Sequence, residues 1–124
     1  MTLLLDTHTT LWWLAGSALS RPARAAIADP DATVLVSSAS AWEMAIKAAL
    51  GRLDIPADLG SALATSGFDV LDVSLEHALA VRDLPPLHRD PFDRVLVAQA
   101  LCEGAVLVTR DARLADYGVR VLAA

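Results

Sequence analysis

The sequence predicts an α/β domain with a mainly parallel central sheet, and three observations lead to that class. Short β-branched or aliphatic runs end abruptly at polar residues, as buried strands do. Between them lie segments with apolar residues at helical spacing, bounded by Ser, Asp, Pro or Gly in capping positions. The alternation continues through most of the 124 residues without an internal repeat, a low-complexity tract or a linker, so one domain over residues 1–124 is expected.

In chain order, residues 2–5 form an apolar strand that stops at Asp6, and Trp12 and Trp13 follow on a helix. Adjacent helical positions differ by ~100° in direction, so the two rings are expected to meet different neighbours, and one could serve an interface. Ser20 caps a helix over residues 20–28, with Pro22 tolerated in the first turn and Asp29-Pro30-Asp31 stopping it. Residues 33–36 are the second strand. A helix over residues 40–50 repeats Trp42, Ala45, Ile46, Ala49 and Leu50, and Gly51 follows as a left-handed cap; the face of Trp42, Ile46 and Leu50 is expected in the core. Residues 54–67 are read as a helix entered through Pro56, and residues 68–73 as a third strand. Ser74 opens a helix that Pro85 and Pro86 end. Asp90-Pro91 opens the clearest helix, which runs to Gly104; strands follow at 105–108 and 119–122, with a short helix over 112–117 between them.

Composition narrows the function. At 55% hydrophobic and 20% charged residues the chain carries more apolar side chain than a disordered segment leaves in water. The single Cys102 excludes an internal disulfide and a cysteine zinc site. The apolar runs are far shorter than the ~20 residues of a membrane span, and no basic region precedes them as in a signal peptide, so a cytoplasmic protein is expected. Ten Lys and Arg against fifteen Asp and Glu give a net charge of −5, the opposite of a simple nucleic-acid binder. An acidic nuclease remains possible, because bound cations invert the charge that a phosphate meets.

The placement of the acids therefore matters most. Ligand sites of open parallel sheets lie beyond the carboxyl ends of the strands. Asp6 closes the first strand there, Asp111 follows the fourth after Thr109 and Arg110, Glu43 lies about a turn into the helix after the second, and Asp93 lies a turn into the helix before the fourth. Each has a structural alternative. Ser40 and Glu43 match a capping box, Asp90 reads as a helix cap with Asp93 favoured by the helix dipole, and Asp111 could cap the short helix after it. Asp6 has the weakest alternative, since a buried unpaired carboxylate is costly. Four convergent carboxylates make physical sense around Mg²⁺ or Mn²⁺, which would activate water for phosphodiester hydrolysis.

Those residues resemble the PIN-domain ribonucleases, and within them the VapC-like toxins of type II toxin–antitoxin pairs. The resemblance spans nearly the whole chain and is carried by Leu4-Leu5-Asp6-Thr7-His8, by Ser40-Ala41-Trp42-Glu43, by His88-Arg89-Asp90-Pro91-Phe92-Asp93-Arg94 running on to Ala98-Gln99-Ala100, and by Leu107-Val108-Thr109-Arg110-Asp111. Successive acids are 37, 50 and 18 positions apart. The resemblance implies a three-layer α/β/α fold and endoribonuclease activity with one or two Mg²⁺ or Mn²⁺ ions. Asp6 and Asp93 would be the main metal ligands, Glu43 and Asp111 would complete the cluster or orient the attacking water, and Thr109 would support them. It further implies a cognate antitoxin whose tail covers the site, an RNA substrate and a homodimer.

Arg94 and Arg110, with Arg89 and Arg113, stand near the acids in sequence and could contact phosphates, with solvated surface charge as the alternative. His8 and His88 adjoin the site and could assist proton transfer, whereas His77 is expected to be structural or exposed. Three rival functions are weaker. A phosphoacceptor receiver domain needs a lysine near its last strand, but the only lysine is Lys47; a haloacid-dehalogenase-like phosphatase needs an Asp two residues after the first, where His8 stands. A non-catalytic PIN-fold binding module would have no need of all four acids.

Overall fold

The structure, a computed structural model, describes every residue except Ala18. Its elements are β1 (Thr2–Leu5), α1 (Thr7–Leu14), α2 (Arg21–Ala28), β2 (Thr33–Ser37), α3 (Ser38–Ala49), α4 (Leu59–Thr65), β3 (Asp69–Leu71), α5 (Leu75–Ala80), α6 (Pro91–Glu103), β4 (Val106–Thr109) and β5 (Val121–Ala123). One 3-10 helix, Val81–Asp83, extends α5, and another, Ala112–Tyr117, joins β4 to β5. The sheet order is β3-β2-β1-β4-β5 and every pairing is parallel. Strand polarity alternates faces, so Leu3, Leu5, Val34, Val36, Val106 and Val108 pack with Ala23 and Ile27 of α2 and Leu63 of α4. Leu4 and Leu107 point the other way, onto Leu96, Val97 and Ala100 of α6. Helices thus cover both faces of a parallel sheet, the expected three-layer α/β/α arrangement.

The chain leaves β1 for β2 and β3 on one side, then crosses to β4 and β5 on the other. The switch point is therefore the gap between the carboxyl ends of β1 and β4. The Asp6 amide donates to the Val108 carbonyl there at 3.1 Å, and Thr9 Oγ1 donates to the same carbonyl at 3.1 Å. Thr10 Oγ1 donates to the Asp6 carbonyl at 2.9 Å, so the buried hydroxyls that open α1 satisfy the backbone where the two strands separate.

Local chemistry sets most boundaries as expected. Ser20, Ser74 and Asp90 cap α2, α5 and α6, and Gly104 takes the left-handed conformation that ends α6 at φ 64°. His77 completes a capping box with Ser74 and is buried, its Nε2 3.1 Å from Glu103. The helix expected over 54–67 is confined to α4, because Asp58 rather than Pro56 starts it, with Oδ1 accepting from the Ser61 amide at 3.0 Å. Strand β3 is shorter than residues 68–73, pairing only with β2 at the sheet's edge.

Two expectations change outright. Trp42, Ile46 and Leu50 are not core: they are 64%, 39% and 60% exposed. The inward stripe of α3 is instead Ala39, Ser40, Glu43 and Met44, which lets α3 pack closely against α1 and α6 while the large apolar side chains face out. Arg94 contacts no acid of the site. Its guanidinium donates to the carbonyls of Pro85 at 2.9 Å and Val81 at 3.2 Å and to the Tyr117 hydroxyl at 3.3 Å, tying the turn before α6 to the body of the domain. Because those carbonyls lose a charged donor, Arg94→Ala should destabilise the protein by about 1–3 kcal/mol. The exposed neighbour Arg89→Ala should change it by less than ~0.5 kcal/mol, and urea unfolding of the two variants compares them directly.

Candidate active site

Asp6, Glu43, Asp93 and Asp111 line one cleft of about 260 Å³ at the switch point, and Asp90 and Lys47 share its wall. Four separate segments supply the acids, because α1, α3 and the loop after β4 all start from the carboxyl edge of the sheet while α6 brings its first turn across it. Thr109, Arg110 and His8 also line the cleft, as does Trp12, whose ring lies under the Arg110 guanidinium at 3.7 Å. Arg110 Nε donates to the Ala124 carbonyl at 3.3 Å, which holds the stack at the rim. Trp13 points elsewhere, packing on Phe68 and donating to Ser66 Oγ at 3.3 Å, so the adjacent tryptophans do diverge.

Each carboxylate has its own environment. Asp6 is 8% exposed, and its Oδ1 caps α1 by accepting from the Thr9 amide at 2.8 Å. Glu43 forms no capping box: Ser37 caps α3, which leaves Ser40 Oγ buried without a hydrogen-bond partner among the described residues. The Glu43 carboxylate instead accepts from Thr7 Oγ1 at 2.6 Å and Lys47 Nζ at 2.8 Å. Burial alone would raise its pKa, but those two hydrogen bonds and the lysine charge outweigh burial and hold it below the usual value.

Asp111 does cap the helix that follows it, with Oδ1 accepting from the Arg113 amide at 3.1 Å. Its carboxylate also takes a forked pair from Arg113, Nε to Oδ1 and Nη2 to Oδ2, each at 2.9 Å. The Arg113 side chain brings its pKa down to about 2 against the opposing effect of burial. Thr109 Oγ1 accepts from the Asp111 amide at 3.0 Å, and the residue is buried.

Asp93 differs from the rest. Burial comes first, then the neighbouring charge of Asp90, and with Asp6 and Glu43 they lift its pKa to about 6, only partly opposed by His88. The tightest grouping also differs from a set of four acids. Donor atoms of His88, Asp93 and Asp111 lie within 4.8 Å of one another, while Asp6 and Glu43 line the same cleft beside that triad. Carboxylate oxygens, an imidazole nitrogen and a carboxyl group pushed up by burial and neighbouring negative charge together fit a divalent cation.

Thr7 and Lys47 were not among the expected site residues. Lys47 was legible in principle, as a lysine four positions after Glu43 on one helix. The Thr7 contact spans 36 positions and depends on α1 meeting α3, which no local pattern encodes.

The family model for the PIN domain matches residues 3–119. A relative named Ribonuclease VapC22, from Mycobacterium tuberculosis, is 33% identical over 120 residues, covering 94% of this chain and 92% of the relative. Among solved structures, VapBC2 from Rickettsia felis bound to a promoter DNA fragment superposes with a TM-score of 0.76 at 17% identity, over 99% of this chain and 98% of that one. DNA-bound VapBC from Salmonella typhimurium gives 0.69 at 19% identity over the same shares. A sheet in the order β3-β2-β1-β4-β5 with acids gathered at its switch point, matched along almost its full length by that family model and by a VapC ribonuclease, establishes that the chain belongs to the PIN-domain family, among the VapC-like proteins.

Proposed function

We propose that this protein is the toxin of a type II toxin–antitoxin pair and acts in the cytoplasm as a Mg²⁺- or Mn²⁺-dependent endoribonuclease. One observation carries the reading: Asp6, Glu43, Asp93 and Asp111 converge from four distant segments into one cleft of about 260 Å³. A ribonuclease name on a relative 33% identical supports the reaction, and likeness to toxin–antitoxin complexes supports the context. No helix among the described residues is long and apolar enough to cross a membrane.

In this reading Asp6 and Asp93 are the principal metal ligands. When bound, the cation supplies a more acidic water and offsets negative charge on the scissile phosphate. Glu43, kept ionised by Lys47 and Thr7, completes the acidic cluster and accepts a hydrogen bond from the attacking water. Asp111, kept ionised by Arg113 and placed by Thr109, orients that water or the cation within the same cleft. Arg110, braced on Trp12, and Lys47 put positive charge at the rim of an acidic protein, where an RNA backbone would approach.

The partners are a cognate antitoxin, whose tail would cover the cleft, and a second copy of the chain. Trp42, Ile46 and Leu50 on α3 and the apolar groove of Trp42, Val73, Pro91, Phe92 and Val95 beside it give such partners a surface to bury.

Purified protein freed of antitoxin should cut RNA with Mg²⁺ or Mn²⁺ and not with EDTA. Asp6→Asn and Asp93→Asn should each lose about 100-fold or more of the rate, in line with the several kcal/mol that such a cation supplies. Full activity of folded Asp6→Asn protein would refute the mechanism. Metal-free protein should also carry a stability penalty at Asp93. A folded-state pKa of about 6 lies above the unfolded value of 3.8, so stability falls as pH rises between them and the penalty is complete above pH 6. Metal-free Asp93→Asn should therefore be more stable than wild type at pH 7.5, by on the order of 1–3 kcal/mol, with the gap closing below pH 4. Thermal melts at the two pH values measure it.

A further inference from the structure

We propose that His88 is a nitrogen donor of the cation site and that it biases the site toward Mn²⁺ over Mg²⁺. The inference rests on the metal-dependent reading above and goes beyond it in naming the residue that selects the ion. His88 lies in the turn before α6, with its ring between two of the acids: Nδ1 is 3.9 Å from Asp93 Oδ2, and Nε2 is 3.2 Å from Asp111 Oδ2.

Its two nitrogens are unequal. Nε2 meets the Asp111 carboxylate, whereas Nδ1 is buried and has no hydrogen-bond partner among the described residues. A buried polar atom left unpaired costs on the order of 1–3 kcal/mol. With its proton on Nε2 the ring donates to Asp111 and leaves the Nδ1 lone pair free to bind a cation. Arg113 Nη2 stands 3.3 Å from the same nitrogen, but its shorter contact, 2.9 Å, is with Asp111 Oδ2. The lone pair of Nδ1 is then unused and faces Asp93. A carboxylate fixing the far nitrogen of an imidazole is the arrangement that orients metal-binding histidines.

The spacing agrees. Donors ~2.0–2.3 Å from one ion can lie no more than ~4.6 Å apart, and the 3.9 Å between His88 Nδ1 and Asp93 Oδ2 falls inside that limit. Asp6, which lines the neighbouring cleft, would add a carboxylate oxygen. A mixed nitrogen and oxygen donor set discriminates because Mg²⁺ takes oxygen almost exclusively, whereas Mn²⁺ accepts imidazole as well.

The test uses the metals alone as probes on antitoxin-free full-length protein. Pulsed electron paramagnetic resonance of the Mn²⁺-loaded wild type should show hyperfine coupling to an imidazole nitrogen, lost in His88→Ala and His88→Gln. Titration calorimetry should find Mn²⁺ binding at least about tenfold weaker in those variants, with Mg²⁺ binding changed less than about threefold. Absence of nitrogen coupling in the wild type, or equal losses for the two metals, would overturn the role of His88 while leaving the acidic site standing. Failure of the wild type to bind Mn²⁺ at all, or unaltered binding in Asp93→Asn, would overturn both readings. The wild-type spectrum needs no variant, so a misfolded substitution cannot mask the answer.

Discussion

Negative charge crowded at the carboxyl edge of a parallel sheet is the constraint around which this structure is arranged. Five acids face one cleft, and the chain supplies counterweights to most of them. Asp6 and Asp90 take backbone amides, Glu43 takes a lysine and a hydroxyl, and Asp111 takes a forked arginine. Asp93 accepts no such hydrogen bond among the described residues, and burial, followed by the charges of Asp90, Asp6 and Glu43, pushes its carboxyl pKa up to about 6. The acids lining the cleft outnumber its lysine and arginine, and the excess negative charge is felt most at Asp93 in the first turn of α6.

The fold makes such crowding tolerable through rigidity. β1 is the central strand of five, paired on both edges, and its neighbours run parallel to it. The buried threonines of α1 spend their hydroxyls on carbonyls at the β1 and β4 ends, so the backbone that carries Asp6 is fixed from two directions. Mutual repulsion among the acids has no soft element to push against at that point. The stretch between α5 and α6 has no strand pairing, and Arg94 ties it to the body of the domain by gathering its carbonyls.

Features written in local chemistry were legible from the sequence. Aliphatic runs marked strands, and Ser20, Ser74, Asp90 and Gly104 marked helix ends, because a cap acts within four residues of itself. Features that depend on tertiary partners were not. Amphipathic spacing shows that Trp42 and Ile46 share a side of α3, but not whether another part of the chain covers that side. Ser40 and Glu43 matched a capping box, yet Ser37 took the cap because the helix begins as soon as β2 ends. Proximity in sequence to Asp93 suggested phosphate binding for Arg94, although consecutive helical residues point ~100° apart and this one turned toward a loop. The acids themselves were legible because strand ends in a parallel sheet share one edge by construction.

Asp6 serves the skeleton and, in the proposed mechanism, the chemistry with a single side chain. One oxygen caps α1 through the Thr9 amide, and the charge of the group belongs to the cleft. Asparagine caps a helix as well as aspartate does, through an oxygen in the same position. The two duties at residue 6 can therefore be parted by exchanging one oxygen for an amide nitrogen. In the mechanism proposed above, a single codon change at residue 6 would give an inactive product with the same shape. On that mechanism, disarming the protein would be a far smaller evolutionary step than discarding its fold, and a surface gripped by an antitoxin would outlast the activity that made the antitoxin necessary.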